Sequence, residues 1–200
     1  MSIIVPQLKV VFNHIPRTAG ISISQWLKDN VLGEHVAPFH GLLDKPGWQT
    51  FAVVRNPWVR ALSFYKHVHQ LAADYGMSKM FGPGSDERPK QFFKLFYMIQ
   101  DKSFTFEQFV LDPQWMEQLV IPMEHWVSES CTVMKLENIE TDFALLQTAT
   151  ECNKPLALSL NHGKKNIVPG WNDQMVNRIG DVYKRDIYRW HYQFNEEDLI

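Results

Sequence analysis

The residues best suited to chemistry lie in two short runs. In "VVFNHIPRTAGISIS", residues 10–24, the apolar Val10, Val11, Phe12 and Ile15 give way to Arg17, Thr18, Gly20 and Ser22, and Trp26 and Leu27 then resume an apolar pattern. A cationic turn of small residues between a core strand and a helix can cradle an anion. Gly20 permits close backbone approach, and the N–H groups that open the next helix are unpaired donors at the positive end of its dipole. Arg17 adds charge, and Thr18 and Ser22 add hydroxyls. In "RNPWVRALSFYKH", residues 55–67, Arg55 ends an apolar run and Ser63 follows about two helical turns later. A guanidinium and a hydroxyl so spaced could hold a second phosphate. One such turn carries little weight, but two on consecutive strand ends point to a ligand with two separated anionic groups.

The elements that must position these residues follow from periodicity and punctuation. The pattern predicts a strand over about residues 9–15 and a helix from Ser22 to Asn30. "HVAPFHG" reads as a short strand ending near His40, and "TFAVV", residues 50–54, as a strand buried on both faces. Asn56 as N-cap and Pro57 at the first helical position open the next helix, with Gly76 as its expected stop. Residues 77–90 mix Gly, Pro and charges and read as an exposed loop. Helices are expected over 91–100, 105–118, about 140–150 and 172–192, and a strand over 131–136. Alternating strands and helices predict an α/β fold with a mainly parallel sheet flanked by helices. Ligands of such sheets bind beyond the carboxyl ends of the strands, so the two cationic runs should share an edge.

Composition narrows the partners. Two hundred residues suit one domain, residues 1–200, with 45% hydrophobic and 21% charged residues. The 20 Lys and Arg against 22 Asp and Glu give no overall pull toward nucleic acid or an acidic membrane surface, so any anion site must be local. No apolar run reaches the roughly 18 residues of a transmembrane helix, and no secretory signal pattern opens the chain. Cys131 and Cys152 match neither a disulfide framework nor a zinc pattern, which favours free thiols in a reducing, cytoplasmic setting. No carboxylate cluster calls for a metal.

The loop is neither G-x-x-x-x-G-K-[ST] nor G-x-G-x-x-G, so ATP and NAD lose their usual signatures. "HIPRTAGISI" instead resembles the "HIPKTAGTSI" turn of the sulfotransferases that use 3′-phosphoadenylyl sulfate (PAPS), in particular the carbohydrate sulfotransferase branch. "VVRNPWVRALSFYKH" resembles that family's second signature, R-[DN]-P-x-x-R-x-x-S-x-Y, and the separation of about 35 residues is similar. "FTFEQFV", "VMKLENIETDFALL" and "VYKRDIYRWHYQF" resemble its weaker downstream blocks, so the likeness spans nearly the whole chain. The resemblance implies a P-loop NTPase-like sulfotransferase fold. It also implies that Arg17, Thr18, Ala19, Gly20, Ile21 and Ser22 hold the 5′-phosphosulfate, and that Arg55 and Ser63 hold the 3′-phosphate. Relatives often carry a late basic loop over the donor, which here corresponds to Lys164, Lys165 and Asn166. They also often use a histidine or glutamate near the end of the second strand as the base for the acceptor hydroxyl, where His40 stands, with His35 next in line. A neutral imidazole suits the removal of an acceptor hydroxyl's proton near pH 7. His14, just before the loop, would fix its shape.

Two residues depart from the family pattern. Arg17 replaces a lysine, keeping the charge but not a transferable proton. Ile21 replaces a threonine, losing one hydroxyl donor at a cost of about 1 kcal/mol. The expected activity is sulfuryl transfer from PAPS to a hydroxyl of a carbohydrate or small molecule, releasing adenosine 3′,5′-bisphosphate without a metal. Two rivals stand beside it: a nucleotide-dependent phosphotransferase, which needs Mg²⁺ and ATP, and a non-catalytic module that binds adenosine 3′,5′-bisphosphate or a partner protein. Arg60, three residues before Ser63, could reach the 3′-phosphate or form a structural ion pair.

Overall fold

Strands with alternating apolar residues turn one buried edge toward a common face. In this protein Ile3 and Val5, Val10 and Phe12, and Phe51 and Val53 do so, with Met134 beside them. The computed structural model describes residues 2–36, 43–80, 98, 104–158 and 170–195. The chain divides into two compact units, Met1–Arg55 with Met123–Asn161, and Asn56–Pro122 with His162–Ile200.

The first unit is α/β. Its strands are β1 (Ser2–Val5), β2 (Val10–Asn13), β3 (Glu34–Val36), β4 (Gln49–Val54) and β5 (Thr132–Lys135), in the sheet order β3-β1-β2-β4-β5. β2 pairs with β4 and β4 with β5 in parallel, whereas β1 runs antiparallel to both β2 and β3. The sheet is therefore mixed, with a parallel group of three strands extended by an antiparallel pair. Helices α1 (Gly20–Val31) and α5 (Ile139–Ala149) cover one face. From α1, Ile23, Trp26, Leu27 and Val31 join the core, and from α5, Ile139, Phe143 and Leu146. Trp26 meets Phe143 edge-on at 4.9 Å and donates its indole N–H to the Lys154 carbonyl, so a large ring is buried with its polar atom satisfied.

The second unit is helical: α2 (Pro57–Met80), α3 (Phe106–Leu111), α4 (Pro113–Leu119), α6 (Asp173–Val182) and α7 (Lys184–Trp190). Asn56 Oδ1 accepts from the Trp58 N–H at 3.1 Å, the cap that the Asn-Pro pair predicts for α2. The helix runs past Gly76, the expected stop. Residues 105–118 form two helices rather than one. Thr105 and Gln108 close a capping box at the start of α3, and Asp112 is extended because Pro113 follows it. Asp112 then caps α4 through the Gln114 N–H. Trp58 and Tyr65 are core residues here: the Trp58 indole donates to the Val176 carbonyl and the Tyr65 hydroxyl to the Phe104 carbonyl. The His69 ring lies 4.5 Å from that of Tyr65, and burial lowers its affinity for a proton. Among the described residues, no helix is long and apolar enough to cross a membrane.

Candidate functional site

Parallel pairing of β2 with β4 sets the geometry. Asn13 stands opposite Ala52, so both strands end at the same sheet edge. Arg17 lies in the turn after β2, and Arg55 directly follows Val54 at the end of β4. Arg55 Nη1 donates to the Arg17 carbonyl oxygen at 3.3 Å. The backbone N–H of Arg55 points to Met123 Sδ at 3.4 Å, which fixes where its side chain departs.

The turn is wound tightly. Arg17 and Ala19 both have left-handed backbones, with φ of 69° and 62°, a conformation that disfavours any residue bearing a Cβ. Thr18 lies between them with no solvent exposure, and its hydroxyl donates to the Ile15 carbonyl at 2.9 Å. That bond commits the hydroxyl proton to holding the turn together. Ala19 precedes α1 and has no side-chain oxygen to cap it. The first turn of a 12-residue helix thus begins at Gly20 without a side-chain cap. Ser22 is buried, and Ile21 points outward, 55% exposed.

Beneath this turn sits the ring of His14. A Cβ added to Gly20 would overlap His14 Cδ2 and Nε2 and stand 2.6 Å from Cγ. Only glycine lets the helix start lie flat on the imidazole. Asn13 was not singled out by its sequence, yet its fully buried amide organises the strand end. Its Oδ1 accepts from Ser2 Oγ and the Leu43 N–H, and its Nδ2 donates to the carbonyls of Leu43 and Trp126. All four hydrogen-bonding positions of the amide are used.

No family model matches the chain, and no match was found among curated proteins or solved structures.

The structure thus brings Arg17, Thr18, Ala19, Gly20, Ile21, Ser22 and Arg55 to one edge of the first unit. Ser63 lies on α2 in the second unit. His40, Lys164, Lys165 and Asn166 fall outside the described residues, and β3 carries His35 at its backbone pairing with Ile3. Arg60 is buried, and Nη1 donates to the Ile121 carbonyl at 2.9 Å. Burial lowers its proton affinity, while Tyr183 and then Asp186 raise it, a setting that suits the structural alternative. Among the described residues, no group of three or more His, Cys, Asp or Glu is placed to hold a metal ion.

Burial first, and the charge of Arg55 second, pull Arg17 below the usual arginine range to about 10. It is still cationic at pH 7, so it offers charge and donors rather than a mobile proton. A base with a lowered folded-state pKa destabilises the fold while charged. That penalty is present at neutral pH and fades as pH rises through about 10. An arriving anion offsets the same penalty. Arg17→Gly, which removes the charge and suits the left-handed backbone, should therefore stabilise the ligand-free protein by about 1 kcal/mol at pH 7. Urea titration checks this, and the gain should shrink at pH 10 or above.

Proposed function

We propose that this chain is a PAPS-dependent sulfotransferase with a P-loop-like fold. The supporting observation is the contact of Arg55 with the turn of Arg17, at the common end of two parallel strands, beside a helix start with no side-chain cap. That edge suits one ligand with two anionic ends. The 5′-phosphosulfate lies in the turn from Arg17 to Ser22 and the 3′-phosphate at Arg55, as the resemblance implies.

In this reading the acceptor hydroxyl attacks sulfur in line with the bridging oxygen. The new S–O bond forms as the bond from sulfur to the bridging oxygen breaks, and adenosine 3′,5′-bisphosphate departs with the electron pair. The acceptor's proton passes to His40. Arg17 and the N–H groups of the turn stabilise the charge that builds on the leaving phosphate, a weakly basic group that needs no proton from Arg17. Positioning and electrostatics supply most of the rate, as in phosphoryl transfer. The acceptor class favoured by the branch resembled is a carbohydrate or a small molecule with a free hydroxyl.

A binding-only module is the second reading. Arg17 for lysine and the outward Ile21 for threonine favour it, since both remove chemistry from the turn while leaving its charge. Calorimetry and turnover separate the two. Adenosine 3′,5′-bisphosphate should bind at least tenfold more tightly than 5′-AMP or ATP, and Arg55→Ala should erase the difference. Equal affinity for all three would remove the dedicated 3′-phosphate site. With PAPS and a panel of hydroxyl acceptors, His40→Ala should cut turnover about 100-fold or more. Tight binding with no turnover in the wild type would instead establish the binding module.

A further inference from the structure

The geometry points to Arg55 as a positioning residue for the first anion site, acting through the backbone of Arg17 and not only as a grip on a 3′-phosphate. This inference rests on the sulfotransferase reading for the identity of the ligand, but its physical basis is local. Arg17 has a left-handed backbone despite its side chain, and such conformations persist only where the surroundings over-determine them. Two bonds do so here. Thr18 Oγ1 ties the turn to the Ile15 carbonyl, and Arg55 Nη1 holds the Arg17 carbonyl from the neighbouring strand end.

The second bond has a directional consequence. Across a trans peptide the C=O and the following N–H point in opposite directions, and the chain has no cis peptide among its described residues. Anchoring the Arg17 carbonyl on Arg55 therefore fixes the plane of the Arg17–Thr18 peptide, and with it the backbone that leads into the opening N–H groups of α1. Arg55 can serve as an anchor because it is itself held. It follows β4 directly, β4 is in register with β2, and its N–H meets Met123 Sδ. A guanidinium has enough donors to hold a carbonyl with one nitrogen and offer others elsewhere.

The test uses ligands without a 3′-phosphate, to which a residue serving only that phosphate is indifferent. Calorimetry at fixed, physiological salt would compare 5′-AMP, inorganic pyrophosphate and adenosine 3′,5′-bisphosphate on the full chain as wild type, Arg55→Met and Arg55→Lys. Arg55→Met should weaken 5′-AMP and pyrophosphate by about fivefold or more, the size of one lost charge-assisted bond. Arg55→Lys keeps the charge without the planar fork and should stay at least threefold weak. The amide resonances of Thr18 and Gly20 should move in both ligand-free variants. If Arg55→Met leaves 5′-AMP and pyrophosphate within twofold of wild type while the bisphosphate weakens, Arg55 serves the 3′-phosphate alone and the inference is overturned. Full recovery in Arg55→Lys overturns it too, by assigning the effect to charge. Should Arg55→Met not fold, the Arg55→Lys comparison decides on the same criterion. Wild-type protein that binds pyrophosphate but prefers 5′-AMP to the bisphosphate would sink the sulfotransferase reading, and the Arg55 comparison would then be read on pyrophosphate.

Discussion

Gly20→Ala is expected to lower affinity for adenosine 3′,5′-bisphosphate about 30-fold and to cost the fold about 2 kcal/mol, typical of forcing extra atoms into a packed site. The added Cβ would overlap the imidazole of His14 across Cδ2 and Nε2 and come within 2.6 Å of Cγ, so the whole ring stands in the way. Neither partner yields easily. The His14 ring lies 6.5 Å from that of Phe12, a core residue of β2. On the other side, Ile23, Trp26 and Leu27 hold α1 in the core, so the helix cannot slide as a rigid body without opening it. The strain is released most cheaply by unwinding the first turn, which scatters the N–H groups of the proposed cradle. Replacing His14 as well should return most of the stability, since the space it vacates accepts the methyl. Urea titration of wild type, both single variants and Gly20→Ala/His14→Ala measures the coupling. Costs that simply add would show that the glycine is not there for the histidine.

The motif residues are legible in the sequence because their types are unusual for their places: an arginine and a glycine between a core strand and a helix, and an arginine directly after "TFAVV". Much of the architecture is legible for the same kind of reason. The apolar run of β4, the Asn-Pro opening of α2 and the Thr/Gln box of α3 each carry a local cause. Local signals also set the limits. β1 is only four residues long, and the chain leaves it through a 3₁₀ turn at Pro6–Leu8 and a left-handed Lys9, without the Asn-Gly or Gly-Gly pair that marks a hairpin. Ile15 is apolar and buried yet lies beyond the strand, because its N–H turns back to the Asn13 carbonyl. Helix α1 starts at Gly20, ahead of the expected Ser22, since Ala19 takes the left-handed cap position that its type does not advertise. The role of Asn13 could not be read at all. Its partners Leu43 and Trp126 are 30 and 113 residues away, and nothing in an isolated asparagine announces which carbonyls it will meet.

Asp186→Asn should destabilise the protein by about 3 kcal/mol, although it lies far along the sequence from every motif. Asp186 has no solvent exposure and Arg60 only 2%, and the carboxylate offsets part of the burial that pulls the Arg60 proton affinity down. Removing the negative charge takes away part of what favours the charged form of the buried guanidinium, so less of its desolvation is offset. Tyr183 acts on Arg60 in the same direction as Asp186. Arg60 Nη1 donates to the Ile121 carbonyl, while the Tyr183 hydroxyl is already committed to the Val120 carbonyl at 2.5 Å. Arg60→Met should cost as much, by taking away a positive charge that interacts with the buried carboxylate. The double variant Arg60→Met/Asp186→Leu should recover most of the loss, because apolar residues of similar volume do without the solvation that a charge gives up. Urea midpoints of the four proteins, taken at pH 7 with unchanged slopes, provide the measurement. An Asp186→Asn midpoint equal to wild type would mean that the pair contributes nothing to stability. Arg60 would then have to be reconsidered as a ligand contact, and its variant should show the loss in bisphosphate affinity rather than in the urea midpoint.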